Sequence, residues 1–310
     1  MSVDPSSRIH AELVSDGIRI TWRGESYTVN YPLDVWAACP LPVKEVLLDN
    51  VTFACTMHLP MVVPGLTCLS YSTARPLFEP YFFQNFIRDL PDCAEADGKS
   101  IADEYKRFLN VDYLFNGEPI KPAPPSTFQP EDKALVAMSF GKDSLLSFAI
   151  ADELALNPEM VYVHEESMTY EREHKTRLGL QFEQQFGKRL NILEHSTGLL
   201  RDYKHLKLPH SEYGWGLQST EYALLMLPFA YYFKAQYLFI GNEQSAGMRY
   251  RDKEDAWNIY PCYDQTHIWT THIDQMTSAL SRGSFQTGSL IEPLMDMMIQ
   301  RMLVKRYPRY

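Results

Sequence analysis

A chain of 310 residues can bury a substantial core, and its length favours two domains or one domain with a large extension. Hydrophobic residues at 45% and charged residues at 22% are ordinary globular values. A formal net charge of −10 argues against a nucleic-acid surface spread over the whole protein and leaves room only for a local basic cleft, while the longest apolar stretch, residues 222–233, is too short to span a bilayer.

With no charged-then-apolar leader, the expected location is the cytoplasm. Five cysteines without a Cys-x-x-Cys pair read as reduced, mostly buried thiols. Residues 1 to about 16 are polar and read as a frayed end. Residues 18–22 and 27–31 alternate apolar and polar around Arg23, Gly24, Glu25 and Ser26, the pattern of a hairpin with a four-residue turn. Residues 51–57 and 67–72 are further strand candidates, and residues 82–90 and 101–109 read as short helices. Prolines at 32, 40, 42, 60, 64, 76 and 80 cut this part into short elements, so residues 1–118 are expected to form a smaller β-rich or α+β domain. His58, Tyr81, Phe82 and Phe83 read as core or interface residues. A proline-dense stretch, residues 119–131, reads as an extended linker.

In residues 132–310 strands alternate with helices, the pattern of a doubly wound, Rossmann-like α/β parallel sheet. A strand over 135–138 leads into Ser139-Phe140-Gly141-Lys142-Asp143-Ser144 and a helix from about 144 to 156. Strands are expected over 160–163, 190–193 and 237–241. Helices are expected over 170–186 and, kinked at Pro228, over 220–233. The turn after the first strand should hold phosphate: Gly141 allows a close backbone approach, the first helical N–H groups point outward, and Ser139, Ser144 and Lys142 add donors and charge. A Walker loop is excluded, because Val136 and Asp143 stand where it needs a glycine and a hydroxyl.

The run resembles the PP-loop, Ser-Gly-Gly-x-Asp-Ser, of the N-type ATP pyrophosphatases, the adenine-nucleotide α-hydrolase superfamily. Ser139, Gly141, Asp143 and Ser144 match, and Phe140 replaces the first glycine. The resemblance implies the superfamily's sheet, ATP and Mg²⁺ as cofactors, and cleavage of ATP to AMP and pyrophosphate with adenylation of a substrate oxygen. It implies phosphates on residues 139–144, with Phe140 in the turn, adenine and ribose near Val163 and His164, and Gly241 and Asn242 facing the turn. Asp143 is the implied Mg²⁺ carboxylate. Glu165 and Glu166 read as solvated residues before a helix. Arg249, Arg251 and Lys253 alternate along one side of a long connection and are expected to close over the phosphates, with Arg249 and Arg251 acting beside Lys142 and Asp143 in catalysis.

Residues 260–269 are similar to the substrate loop of the 7-cyano-7-deazaguanine synthases, with Cys262 where that family has an aspartate and Asp264 two residues on; the family's four-cysteine zinc site is not visible. The first reading is therefore an adenylating enzyme acting on the carboxylate or amide oxygen of a small molecule. The alternatives are a carboxylate-activating muramoyl-peptide glutamate epimerase type, a tRNA-thiolating type and a nucleotide-binding module without turnover. Cys262 as a persulfide carrier and His267 with His272 as metal ligands are the weaker readings of those residues. Nucleic acid is disfavoured as a partner, no membrane is expected, and a homodimer is left open.

Overall fold

A computed structural model describes residues 7–117, 128–166 and 169–310. Most of the expected linker, 118–127, lies outside them. The N-terminal part begins with three antiparallel strands, β1 (Arg8–Val14), β2 (Gly17–Trp22) and β3 (Glu25–Asn30). The expected frayed end is thus a strand as far as the description reaches: Ile9 and Ala11 alternate inward against Trp22 and Ile20. The β2–β3 turn holds two residues, Arg23 and Gly24, both at positive φ (51° and 83°), rather than four.

Next come α1 (Leu33–Ala38), α2 (Leu41–Thr56), α3 (Leu59–Val62), β4 (Cys68–Ala74), α4 (Glu79–Ala96), α5 (Ile101–Leu109) and β5 (Asp112–Gly117). Residues 51–57, expected as a strand, complete α2 instead. Val51 to Thr56 are all buried, so the run has no polar face to display a helical period and its β-branched content mimics a strand. Its polar members are satisfied locally: Thr56 Oγ1 donates to the Thr52 carbonyl (2.6 Å) and Asn50 Nδ2 to that of Val46 (2.7 Å). Phe53 packs its ring 5.2 Å from Tyr113 and 5.6 Å from Tyr71, tying α2 to β4 and β5.

The second part runs β6 (Glu131–Ala137), α6 (Lys142–Glu153), β7 (Glu159–Glu165), α7 (Thr169–Phe186), β8 (Leu190–His195), α8 (Gln218–Leu225), α9 (Leu227–Phe233) and β9 (Ala235–Phe239). The hairpin β10 (Tyr250–Arg251) with β11 (Asn258–Ile259) precedes α10 (His267–Ser281), β12 (Gln286–Gly288) and α11 (Asp296–Lys305). The expected strands and helices are present with shifted ends. The expected kinked helix is two, parted at Met226, so that Pro228 sits in the first turn of α9, where its missing N–H costs nothing.

All the strands except β10 and β11 form one ten-stranded, mostly parallel sheet in the order β12-β9-β6-β7-β8-β3-β2-β1-β4-β5. Strand β3 joins β8 of the parallel part edge to edge, Val29 opposite His195, so strands on both sides of residues 118–127 share one sheet. Within the parallel part, β8-β7-β6-β9-β12 is order 3-2-1-4-5, the doubly wound arrangement. The chain leaves β6 for β7 on one side, and β9 later joins on the other. A switch point therefore opens at the carboxyl end of β6. Among the described residues no helix is long and apolar enough to cross a membrane.

Candidate functional site

A cavity of about 370 Å³ occupies this switch point. Ala137, Met138 and Ser139 from the end of β6, Val161, Val163 and Glu165 from β7, and Ile240, Gly241 and Asn242 after β9 form its floor; Trp215, Gln218 and Tyr222 wall its far side.

The turn from β6 into α6 is closed by its own hydroxyls. Ser144 Oγ donates to the Gly141 carbonyl (3.0 Å) and lies 3.3 Å from Ser139 Oγ, which accepts from the Gly141 N–H at 3.3 Å. The first N–H groups of α6 have no intrahelical acceptor and face the cavity mouth with the positive end of the helix. Phe140 takes φ +57°, the left-handed conformation that a glycine would adopt freely and that costs another residue roughly 1 kcal/mol. Its ring lies 5.9 Å from Phe182 and away from the cavity lining. On the other side, a Cβ on Gly241 would come within 3.1 Å of Asp143 Cβ, so any larger residue just after β9 would need the turn to give by a few tenths of an ångström.

Lys142 Nζ lies 2.7 Å from Asp143 Oδ1 and 2.7 Å from Asp296 Oδ1. Burial alone would lower the Lys142 pKa; the two carboxylates outweigh it and raise it. Asp296 opens α11, which packs on α6 through Ile299, with Tyr307 just beyond its end, in one cluster with Leu146 and Ala149. Lys175 of α7 donates to the Ser139 carbonyl at 2.5 Å.

The floor of the cavity offers peptide groups as well as side chains. Met138 N–H bonds the Val161 carbonyl at 2.8 Å, the last rung between β6 and β7. In a parallel ladder successive residues turn their peptide groups to alternate neighbours, so the N–H and C=O of Val163 turn toward the β6 side, where β6 ends. His164, one residue on, faces the other side of the sheet. Its Nδ1 pairs with Glu194 at 2.9 Å and its side chain does not line the cavity, which corrects its expected place beside the adenine.

Glu165 is also corrected: it is buried at 5% exposure, not solvated. It accepts from Arg201 Nη2 (2.8 Å), Gln218 Nε2 (2.8 Å) and the Tyr222 hydroxyl. Arg201 Nη1 continues to Glu221 (2.8 Å), which also bonds His195 and accepts from Cys55 Sγ (2.9 Å). Burial alone would raise both carboxyl pKa values, but Arg201 and then His195 hold Glu165 and Glu221 below the usual range.

Of the remaining expected residues Asn242 lines the cavity and the others lie elsewhere. Asn242 is buried and donates to Thr270 Oγ1 (3.0 Å). Arg249 and Arg251 are exposed on the β10–β11 hairpin, bonded to the Tyr260 hydroxyl and to the Asp255 carbonyl, and neither lines the cavity. Cys262 has its thiol pushed up to about 11 by burial and then by Asp264, so at neutral pH it is no thiolate nucleophile. His267 pairs with Glu292 (2.8 Å) while His272 packs edge-on against Trp269. Among the described residues no cluster of three or more metal-ligating side chains occurs.

Asp89 and Asp264 form a second buried acidic pair. Burial first and its neighbour Asp264 second push Asp89 up to about 7, and burial pushes Asp264 up to about 6. Folded Asp89 holds its proton more tightly than the unfolded chain does, so its stabilisation is complete below pH ~4 and is lost as pH rises toward 7. Asp89→Asn is therefore expected to stabilise the protein at pH 8 by on the order of 3 kcal/mol and to change little at pH 4.5. Urea midpoints at the two pH values measure this, and the same gain at both would contradict it.

No protein-family model matches the chain, and no curated protein matches it.

Proposed function

We propose that the cavity binds ATP and that the chain adenylates an oxygen of a small-molecule acid, releasing pyrophosphate. The observation that carries this reading is one coincidence: the Ser-Phe-Gly-Lys-Asp-Ser turn, the PP-loop-like run, ends the first strand of a 3-2-1-4-5 sheet and forms the rim of its switch-point cavity. Phosphate oxygens accept from the outward N–H groups of the turn and of α6. The apolar Val161 and Val163 side of the floor offers a surface for the adenine ring.

The residues at the turn fit Mg²⁺: Asp143 and Asp296 supply hard carboxylate oxygens on one side of the turn and share the single positive charge of Lys142. They would hold the cation, whose charge offsets that of the phosphates. The acid's oxygen then attacks the α-phosphorus, the bond to the β-phosphate breaks, and the electron pair leaves with pyrophosphate. A second nucleophile, ammonia or water, then adds to the acyl carbon, the acyl C–O bond breaks, and AMP leaves with the acid's oxygen. The protein's share is positioning and charge neutralisation. Glu165, fixed by Arg201, Gln218 and Tyr222, shapes the wall against which the acid lies; Arg249 and Arg251 take no part.

The acid is of the 7-cyano-7-deazaguanine synthase class, with a carboxylate-activating muramoyl-peptide glutamate epimerase type as the alternative. The protonated Cys262 thiol and the net charge of −10 disfavour tRNA thiolation. The test is product analysis with magnesium ATP and either carboxy-deazaguanine or an L-Glu-terminated muramoyl peptide. AMP and pyrophosphate formed with one acid support the reading and name its class. ADP and phosphate, or ATP binding without turnover under both acids, contradict it, the latter in favour of a nucleotide-binding module.

A further inference from the structure

The charges around the phosphate turn do not suffice for a triphosphate. Lys142 is shared between Asp143 and Asp296, which leaves these three side chains with one net negative charge. One further cation reaches the turn. Lys175 extends from the second turn of α7 to the Ser139 carbonyl at 2.5 Å, and its ammonium lies 5.9 Å from the centre of the Tyr162 ring. Tyr162 and Glu171, joined by a 2.8 Å hydrogen bond, both line the cavity, so this part of α7 stands over its mouth. Lys175 is half-buried, and no carboxylate among the described residues pairs with it.

A carbonyl is a weak partner for an ammonium that has three donors and a flexible stem. The geometry points to Lys175 as the residue that binds the phosphate chain of the nucleotide, a catalytic residue that the phosphate-turn motif does not include; this assignment rests on the nucleotide reading above. On ATP binding its ammonium turns from the Ser139 carbonyl to non-bridging oxygens beside the turn. When the acid's oxygen forms its bond to the α-phosphorus, the bond from that phosphorus to the bridging oxygen breaks and its electron pair leaves on pyrophosphate. The Lys175 ammonium offsets the charge that develops there.

Calorimetric binding of magnesium pyrophosphate and of adenosine to wild type, Lys175→Ala and Lys175→Arg tests the assignment without any acid. Alanine suits a helix interior, so the variant keeps its fold. Pyrophosphate is expected to bind Lys175→Ala roughly 10- to 100-fold more weakly, the loss of a charge-assisted hydrogen bond, with adenosine unchanged and most of the affinity retained by Lys175→Arg. With the acid identified, kcat for pyrophosphate release should fall ~10²–10³-fold at unchanged KM for the acid. Pyrophosphate affinity within twofold of wild type, or equal losses for adenosine and pyrophosphate, overturns the role of Lys175 and leaves the nucleotide reading standing. Wild-type protein that binds neither ATP nor pyrophosphate overturns both.

Discussion

Asp143→Ala is expected to lower pyrophosphate release from magnesium ATP by roughly 10³-fold while changing stability by no more than ~1 kcal/mol. The two effects separate because of where the residue stands. Asp143 lies in the first turn of α6 at the cavity mouth, partly exposed, and its carboxylate bonds only Lys142 among the described residues. Nothing in the core depends on it, so thermal unfolding should be nearly unchanged. In the proposed reaction the same carboxylate holds the cation against the phosphates, and its loss also shifts Lys142 wholly onto Asp296. Steady-state rates and melting curves on the same preparation measure both. A rate within tenfold of wild type would remove Asp143 from the reaction, and a large loss of stability would make its role structural.

Glu221→Gln is expected to have the opposite signature, a loss of about 3–5 kcal/mol of stability at neutral pH. Glu221 is 1% exposed and joins Arg201, His195 and Cys55. A glutamine leaves the Arg201–Glu165 pair but removes the carboxylate that Arg201 Nη1 meets, and it offers one acceptor oxygen where Glu221 offers two to Arg201, His195 and Cys55. Against a total of roughly 5–15 kcal/mol, this is a large fraction. The pH dependence follows from the direction of the shift. Folded Glu221 titrates below its unfolded value, so the folded state binds fewer protons, and its stabilisation is complete above the unfolded pKa of ~4.3 and fades as pH falls below it. The gap between wild type and Glu221→Gln in urea midpoints should therefore be wide at pH 7 and narrow below pH 4. A constant gap across that range would show that the charge of Glu221 does not matter.

The parts that could be read from the chain are those whose signal is local. A buried apolar run that turns through Gly141 into a helix needs no partner to be recognised, and β6, β7, β8 and their helices lie close to where their hydrophobic periods put them. α2 was hidden because every face of its second half is buried, which erases the helical period and leaves only β-branched composition. Glu165 looked like a solvated acid because its partner, Arg201, stands 36 residues on in a short 3-10 turn, and no local pattern announces that pairing. Asp296 and Lys175 reach the β6–α6 turn only through the packing of α11 on α6 and of α7 over β7. Phe140 could be read as a departure from the glycine pattern, and its φ of +57° shows that the backbone keeps the conformation that glycine would have.

The claim on which the account depends is that the acid's own oxygen becomes bonded to the α-phosphorus. Incubating the protein with magnesium ATP and an acid labelled with ¹⁸O in its carboxylate, then weighing the AMP by mass spectrometry, tests this directly. The account predicts AMP carrying one ¹⁸O atom, formed together with unlabelled pyrophosphate. Unlabelled AMP, or ¹⁸O in AMP only when the water is labelled, would mean that water attacks the nucleotide and would contradict adenylation.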